Sequence, residues 1–372
     1  MPSSLRTPLC DLLGIEIPIL QAGMGRGLGS TTSAAMVAAV SEAGGLGCLG
    51  GAGLSADQLR AEVRAIRALT SKPFGVDLLI PASLADADVP REEVRRQVQQ
   101  RHPQHWVLVM SLYERFGLDP ENHHPNEWAI SPTLMREQAA VVIEEKVPVF
   151  VAALGDPAWI VPPAHEQGII VMGMSGSPGN ARRQVAAGVD VVVAQGTEAG
   201  GHTGTIATLA LVPQIVDQVS PIPVVAAGGI ADGRGVAAAL ALGAQGVWCG
   251  TAYLFSHEAN LHQPMRDQLD GAKARDMIAG TSYTGKPSRI YYNEVAKAWT
   301  DSGLVPLEMP HQTVIMDDFN HAAEVAGRYE LIQNPGGQIA GMLSGLRSSA
   351  EITRDLAEGA AAVIRDVQRF VR

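Results

Sequence analysis

The sequence predicts an α/β protein, a (β/α)8 TIM barrel with a lid insertion after the third strand and a C-terminal helical appendage. Eight short runs of Val, Ile, Leu and Ala recur along the chain. They are near-continuous rather than alternating, which is typical of strands buried on both faces of a parallel sheet. Helical patterns separate them, and glycine-rich segments follow the late strands, where a barrel binds phosphate. An open doubly wound sheet is the alternative.

Each predicted element has its own signal. The helix expected at residues 55–71 has apolar residues on one face from Leu59 to Leu69, and Ser55 and Asp57 offer an N-cap. The eight strands are expected at residues 17–24, 46–49, 74–80, 148–154, 169–174, 190–195, 222–227 and 246–250. The later strands follow one another at the spacing of minimal βα units, which favours the barrel.

The predicted strands divide the chain into three parts. We expect residues 1–80 and 133–271 to form the cofactor-binding barrel. Residues 81–132 are far longer than an ordinary βα loop, and such loops emerge at the catalytic face, so we expect a partly helical lid. Residues 272–372 combine helical patterns with a Gly/Pro-rich stretch at 333–338, which suggests a helical segment packed on the barrel. This segment could cover the barrel or form the surface of a homodimer.

Composition excludes several classes of protein. The 28 basic and 38 acidic side chains of the 372 residues give a net charge of −10, which disfavours a nucleic-acid partner. Three cysteines cannot build a disulfide framework, so we expect a reducing, cytoplasmic location. The chain has no run of eighteen apolar residues and no signal-peptide pattern at its start, so we expect no membrane association.

The strongest functional signal is the segment from Gln195 to Gly204, which reads QGTEAGGHTG and begins where the sixth strand should end. Gly200 and Gly201 let the backbone approach a ligand closely. His202 follows at the mouth of the predicted barrel, and histidine exchanges protons readily near neutral pH. A glycine-rich turn with a surface histidine is the alternative interpretation.

Glycines at the ends of the seventh and eighth strands predict a phosphate site. Gly228 and Gly229 follow the seventh strand, and Gly250 and Thr251 follow the eighth. Barrels commonly bind phosphate with the backbone N–H groups of these two loops. Thr251 adds a hydroxyl donor. Alternatively, these glycines serve only tight turns.

Weaker signals complete the set. Ala22, Gly23 and Met24 end the first strand and could lie along a flat ring, although methionine is more often plain packing. The match to G-x-G-x-x-G at residues 45–50 contains the second strand instead of following a strand, so we reject a dinucleotide fingerprint. Four histidines within residues 102–124 have irregular spacing and no cysteine partner, so we predict no metal site.

These motifs resemble the nitronate monooxygenase family, formerly called 2-nitropropane dioxygenases. The related FMN-dependent enoyl-ACP reductase II group shares them. The matching elements, in order, are PILQAGM at residues 18–24, PFGVD at 73–77, GTEAGGH at 196–202, AAGGIAD at 226–232 and Gly250-Thr251. The resemblance spans roughly residues 10–80 and 133–345 and leaves out the insertion.

The resemblance implies a TIM barrel that binds FMN non-covalently. It further implies that His202 serves as the base toward substrate. The implied cofactor contacts are Ala22, Gly23 and Met24 at the isoalloxazine ring, Gly200 and Gly201 along the cofactor, and Gly228, Gly229, Gly250 and Thr251 at its phosphate. Asp77 and Gln195, which lie within or beside the matching elements, complete the predicted cofactor-binding set.

The chain departs from the family pattern at two places. Nitronate enzymes usually carry asparagine where this chain has Asp77, and a carboxylate near the flavin would disfavour an anionic reduced ring. They often carry lysine near the end of the fifth strand, where residues 172–175 read MGMS. Either difference could change the substrate preference.

Three hypotheses follow for the function. The first is an FMN-dependent nitronate monooxygenase that oxidises alkyl nitronates with O₂. The second is a reductase in which NAD(P)H reduces FMN, which then reduces an enoyl thioester or a quinone. The third is a barrel without catalytic flavin, either a sugar-phosphate-binding barrel or a non-catalytic flavin-binding protein, because the phosphate loops alone would fit it.

Overall fold

Eight parallel strands form the barrel in the computed structural model, which describes residues 5–25, 30–80, 88–127 and 131–371. The strands are β1 Ile19–Gln21, β2 Gly47–Gly50, β3 Phe74–Leu79, β4 Val149–Ala153, β5 Ile170–Ser175, β6 Val191–Gln195, β7 Val224–Ala227 and β8 Gly246–Cys249. Their order in the sheet is β1-β8-β7-β6-β5-β4-β3-β2, all parallel. The predicted barrel is therefore confirmed, and each strand lies within one residue of its predicted segment.

The barrel closes between β1 and β2, where the ladder is shortest. A parallel bridge pairs Leu20 with Leu46, and the Gln21 N–H donates to the Leu46 carbonyl at 2.9 Å. The fully buried Gln21 side chain extends this seam, because its Oε1 accepts from the Cys48 N–H at 3.0 Å. The Gln21 side-chain amide thus supplies a hydrogen bond to β2 where no backbone carbonyl of β1 does so.

Fourteen α-helices are found among the described residues. They are α1 Pro8–Leu13, α2 Ala34–Glu42, α3 Ala56–Leu69, α4 Arg91–Arg101, α5 Pro103–Phe116, α6 Pro132–Glu144, α7 Val161–Glu166, α8 Pro178–Ala186, α9 Thr208–Val219, α10 Gly233–Ala241, α11 Gln263–Asp270, α12 Glu294–Ser302, α13 His311–Val325 and α14 Ser349–Val367. Helix α3 begins with a capping box between Ser55 and Gln58, as the N-cap prediction for Ser55 requires.

The ring of helices around the barrel uses distant parts of the chain. Helices α2, α3 and α6–α10 each follow one of β1–β7. Helix α14 packs between α10 and α2, in the position of the eighth barrel helix, although it lies a hundred residues beyond β8. Its Ile352 and Leu356 join the layer of apolar side chains between strands and helices. A separate cluster, with Val151 and Val193 among its members, fills the barrel interior.

A second hydrophobic core joins the insertion to the C-terminal segment. Helices α4 and α5 of the insertion pack against α13, and Tyr113 and Phe319 meet edge to face with ring centroids 5.3 Å apart. Residues 81–87 and 128–130 of the predicted lid lie outside the described residues, and the proposed domain limits stay a prediction. None of the helices in the described ranges is long and apolar enough to cross a membrane.

A small antiparallel sheet ties the C-terminal segment to the mouth of the barrel. Its central strand is Ser288–Tyr291, which pairs with Met277–Gly280 on one side and with Gly201–His202 on the other. The strand that contains His202 therefore pairs with residues almost ninety positions later in the chain. This pairing brings the residues around position 285 to the catalytic face.

Candidate active site

One large cavity, of about 760 Å³, opens at the carboxyl ends of the barrel strands. This is the face where (β/α)8 enzymes build their active sites. Every residue of the predicted site lines it: Ala22, Gly23, Met24, Asp77, Gln195, Gly200, Gly201, His202, Gly228, Gly229, Gly250 and Thr251. The structure therefore brings them together around one cavity, while their assignment as cofactor-binding and catalytic residues stays a prediction.

His202 is held at both its backbone and its ring. The Gln195 side-chain amide donates to the His202 carbonyl at 2.8 Å, and His202 Nε2 lies 3.1 Å from Thr284 Oγ1. Burial, together with the nearby Lys286 ammonium, lowers the pKa of His202 to about 4. The imidazole is therefore neutral at physiological pH and has one nitrogen free to accept a proton.

Asp77 lies beside Gly23 on the cavity wall. A Cβ at residue 23 would come within 2.5 Å of Asp77 Cβ, so the small residue permits this contact. Asp77 is 8% exposed, and its buried Oδ1 has no hydrogen-bond partner among the described residues. Burial raises the pKa of Asp77 to about 8. The carboxyl is therefore largely protonated at neutral pH and can donate a hydrogen bond.

The loops after β7 and β8 form a small cradle. Gly228 and Gly229 adopt φ of +94° and +76°, a region that side chains other than glycine rarely enter. Gly250 precedes a 3₁₀ helix, Thr251–Phe255, and Gly250 and Thr251 line the same cavity as Gly228 and Gly229. Thr251 Oγ1 accepts from the Gly337 N–H at 2.9 Å, which leaves the hydroxyl hydrogen available for a ligand.

The Gly/Pro-rich stretch at residues 333–338 closes one side of the cavity. A Cβ at Gly200 would lie 2.6 Å from the Gly336 carbonyl carbon, so the two backbones are in direct contact. The Gln338 N–H also donates to the Glu198 carbonyl at 3.0 Å. Backbone from the C-terminal segment is thus part of the site wall.

Several residues that line the cavity were not predicted from the sequence. Arg91 of α4 is buried and forms an ion pair with Asp317 of α13 at 2.9 Å. Ser175 and Gln184 are buried cavity residues whose Oγ and Oε1 atoms lack hydrogen-bond partners among the described residues. Thr284 and Lys286 complete this group. Of these residues, only Ser175 could have been predicted from the sequence, because it is a polar residue at the carboxyl end of β5.

The fold and the site define a small-molecule enzyme of the (β/α)8 class, with glycine loops and a partly buried histidine around one cavity. A model of the nitronate monooxygenase family matches residues 6–359, so the chain belongs to this family and is an oxidoreductase. Relatives include a putative monooxygenase, Rv1533, from Mycobacterium tuberculosis, which is 37% identical over 99% of this chain and 100% of its own length. A probable nitronate monooxygenase from Staphylococcus aureus is 35% identical over 89% of this chain and 90% of its own length.

Two solved structures are similar over almost the whole chain. Nitroalkane oxidase from Streptomyces ansochromogenes has a TM-score of 0.80 at 30% identity and covers 96% of this chain and 99% of its own. FabK from Thermotoga maritima has a TM-score of 0.78 at 30% identity and covers 99% of this chain and 100% of its own. The predicted resemblance to both groups is confirmed.

Proposed function

We propose that the protein is an FMN-dependent nitronate monooxygenase that oxidises alkyl nitronates with O₂. The observation that carries the proposal is the arrangement of one cavity, in which His202 faces the residues Ala22–Met24 and the glycine loops after β7 and β8. The family match and the likeness to a nitroalkane oxidase support the same reaction class. A cavity of this volume can hold a cofactor together with a small substrate.

The residues present fit FMN. The cradle of Gly228, Gly229 and Gly250 has backbone N–H groups and no side chains that would occupy the space of a phosphate. The unpartnered oxygen atoms of Asp77 and Ser175 are buried polar groups that a heterocyclic ring edge would satisfy. When bound, FMN accepts electrons from the substrate and passes them to oxygen.

His202 is the residue that we assign to the substrate. Its neutral imidazole can accept a proton or a hydrogen bond. Lys286 adds a positive charge to the cavity lining near His202, which favours an anion such as a nitronate there. We assign Ala22 and Met24 to the face of the flavin ring.

Replacing His202 with Asn tests its assigned role. We expect His202→Asn to lower turnover of a nitroalkane, the neutral conjugate acid of the nitronate, by roughly 10²–10⁴-fold, because a general base that removes the α-proton contributes about that much, while FMN stays bound. The measurement is oxygen uptake, with the flavin spectrum recorded on the same sample. His165→Asn is the matched control, since His165 lies on α7 outside the cavity and pairs with Asp190. Wild-type turnover in His202→Asn would remove this residue from the mechanism.

A reductase is the second candidate function, and the likeness to FabK over 99% of the chain favours it. In this alternative, NAD(P)H reduces FMN, and an enoyl thioester or a quinone is the acceptor. An anaerobic titration of the flavin bands with NADH and NADPH separates the two candidates. Rapid bleaching supports the reductase. Bands that persist with both nicotinamides and bleach with an alkyl nitronate support the monooxygenase.

A further inference from the structure

A tight turn from the C-terminal segment, Thr284-Gly285-Lys286, contacts the ring of His202. The Gly285 backbone has φ of +73°, and a Cβ there would collide with the Leu307 carbonyl oxygen. The turn is further held by Thr313, whose hydroxyl donates to the Thr284 carbonyl at 3.2 Å. These contacts fix the position of the Thr284 side chain.

The hydrogen bonds of Thr284 determine which way its hydroxyl points. Thr284 Oγ1 donates to the Lys286 carbonyl at 3.1 Å, and the Lys286 N–H donates back to Oγ1 at 3.4 Å. A hydroxyl has only one hydrogen. The Lys286 carbonyl cannot donate, so both 3.1 Å contacts of Thr284 Oγ1 are hydrogen bonds only when the hydroxyl hydrogen points to Lys286 and His202 Nε2 is the donor.

The other ring nitrogen is then the acceptor. A neutral imidazole carries one hydrogen, so Nε2–H leaves a lone pair on Nδ1. Nδ1 has no hydrogen-bond partner among the described residues, and it is not one of their buried, unpartnered polar atoms. Because His202 lines the cavity, Nδ1 is open to a ligand there. Burial and the Lys286 charge both disfavour a second proton on the ring.

We propose that Thr284 is a positioning residue that holds His202 as the neutral Nε2-protonated tautomer, with Nδ1 as the atom that faces the substrate. Nδ1 can then accept a proton or a hydrogen bond but cannot donate one. The catalytic part of this inference rests on the proposed function, whereas the tautomer does not. His202 can therefore serve as a base toward the substrate.

Nitrogen NMR of the FMN-loaded protein labelled with ¹⁵N-histidine tests the tautomer directly. We expect the His202 signals, assigned by their loss in His202→Asn, to show a protonated Nε2 and an unprotonated Nδ1. A protonated Nδ1 in the wild-type protein would overturn the proposal. This measurement needs no substrate, so it stands or falls separately from the nitronate activity.

Two variants test the role of the hydroxyl. Thr284→Val should mix the two tautomers and lower kcat about 10- to 100-fold, with little change in KM and with FMN retained, whereas Thr284→Ser should restore both the spectrum and kcat. Thr300→Val, on the exposed side of α12, is the matched control and should behave like wild type. An unchanged His202 spectrum in Thr284→Val, or a Thr284→Ser variant as impaired as Thr284→Val, would contradict the assignment.

Discussion

At the scale of single residues, Asp77 shows how burial changes the charge state of a side chain. By its sequence alone it is a carboxylate that would repel an anionic reduced flavin. In the structure its pKa is raised to about 8 by burial, so at neutral pH it is mostly a neutral acid with a hydrogen to donate. In this form it can donate a hydrogen bond, as an asparagine amide can. The charge state could not be predicted because it depends on neighbours such as Gly23, which the fold supplies.

Asp77 should make the protein less stable as pH rises. Below about 3.8 the folded and unfolded states are both protonated, and between there and about 8 only the folded state holds the proton. The free energy of unfolding should therefore fall by up to about 1.4 kcal/mol per pH unit across this window and level off above it. Urea denaturation of FMN-free Asp77→Asn, compared with wild type at pH 5 and pH 8, measures this contribution.

The free energy of unfolding of Asp77→Asn should rise relative to that of wild type as the pH increases. Asp301→Asn, an exposed change on α12, is the control and should keep the wild-type pH dependence. The difference in the free energy of unfolding between Asp77→Asn and wild type is then compared between pH 5 and pH 8. If this difference is the same at both pH values, the carboxyl is already ionised in the folded state at pH 5, and its proposed role as a donor fails.

At the scale of elements, the loops that follow strands could be predicted residue by residue, whereas the segments expected to cover them could not be tied to particular contacts. The motif at residues 195–204 stands out because a strand end and consecutive glycines are local signals. Thr284 and Lys286 reach the site through pairing between distant strands. No local pattern encodes that pairing, so these two residues were missed. The stretch at residues 333–338 stood out by its Gly and Pro content, but its contact with Gly200 could not be predicted.

The contact between Gly200 and Gly336 should be needed for cofactor retention. In Gly200→Ala the new methyl group would overlap the Gly336 backbone, so the closing stretch must move outward. We expect FMN to dissociate at least about tenfold faster, since a shift of this kind widens the site. The measurement is the recovery of free flavin fluorescence after dilution.

Gly280→Ala provides the matched control, because a Cβ there meets nothing within 4 Å and the residue lies in the same small sheet. Its FMN dissociation rate should equal that of the wild type. Equal rates in Gly200→Ala and wild type would mean that the stretch at residues 333–338 does not retain the cofactor.

At the scale of the whole molecule, the barrel could be predicted from the count of strands, but its eighth helix could not. The apolar runs are regular enough to be counted, whereas about a hundred residues separate β8 from α14. From the sequence alone, residues 349–367 are therefore expected in a C-terminal appendage. In the structure, α14 contacts α10, α2 and β1, and Thr353 bonds the buried Tyr253 hydroxyl at 2.8 Å.

Truncating a buried side chain of α14 should consequently weaken the barrel itself. Leu356 is 2% exposed within the layer between strands and helices, so Leu356→Ala should cost about 2–5 kcal/mol in the free energy of unfolding. Leu209→Ala is the control, since Leu209 is 70% exposed, and should change it by less than about 0.5 kcal/mol. Both values come from urea titrations, and a small loss for Leu356→Ala would mean that α14 adds little to the barrel.

The late position of α14 also bears on how the protein is made. Domains generally fold as units while the ribosome adds residues from the N-terminus onward. When β8 has been synthesised, all eight strands exist, yet the gap between α10 and α2 still lacks its helix. The apolar surface beneath that gap stays uncovered until residues 349–361 emerge, so the nascent barrel spends about a hundred rounds of elongation in a state that chaperones can recognise.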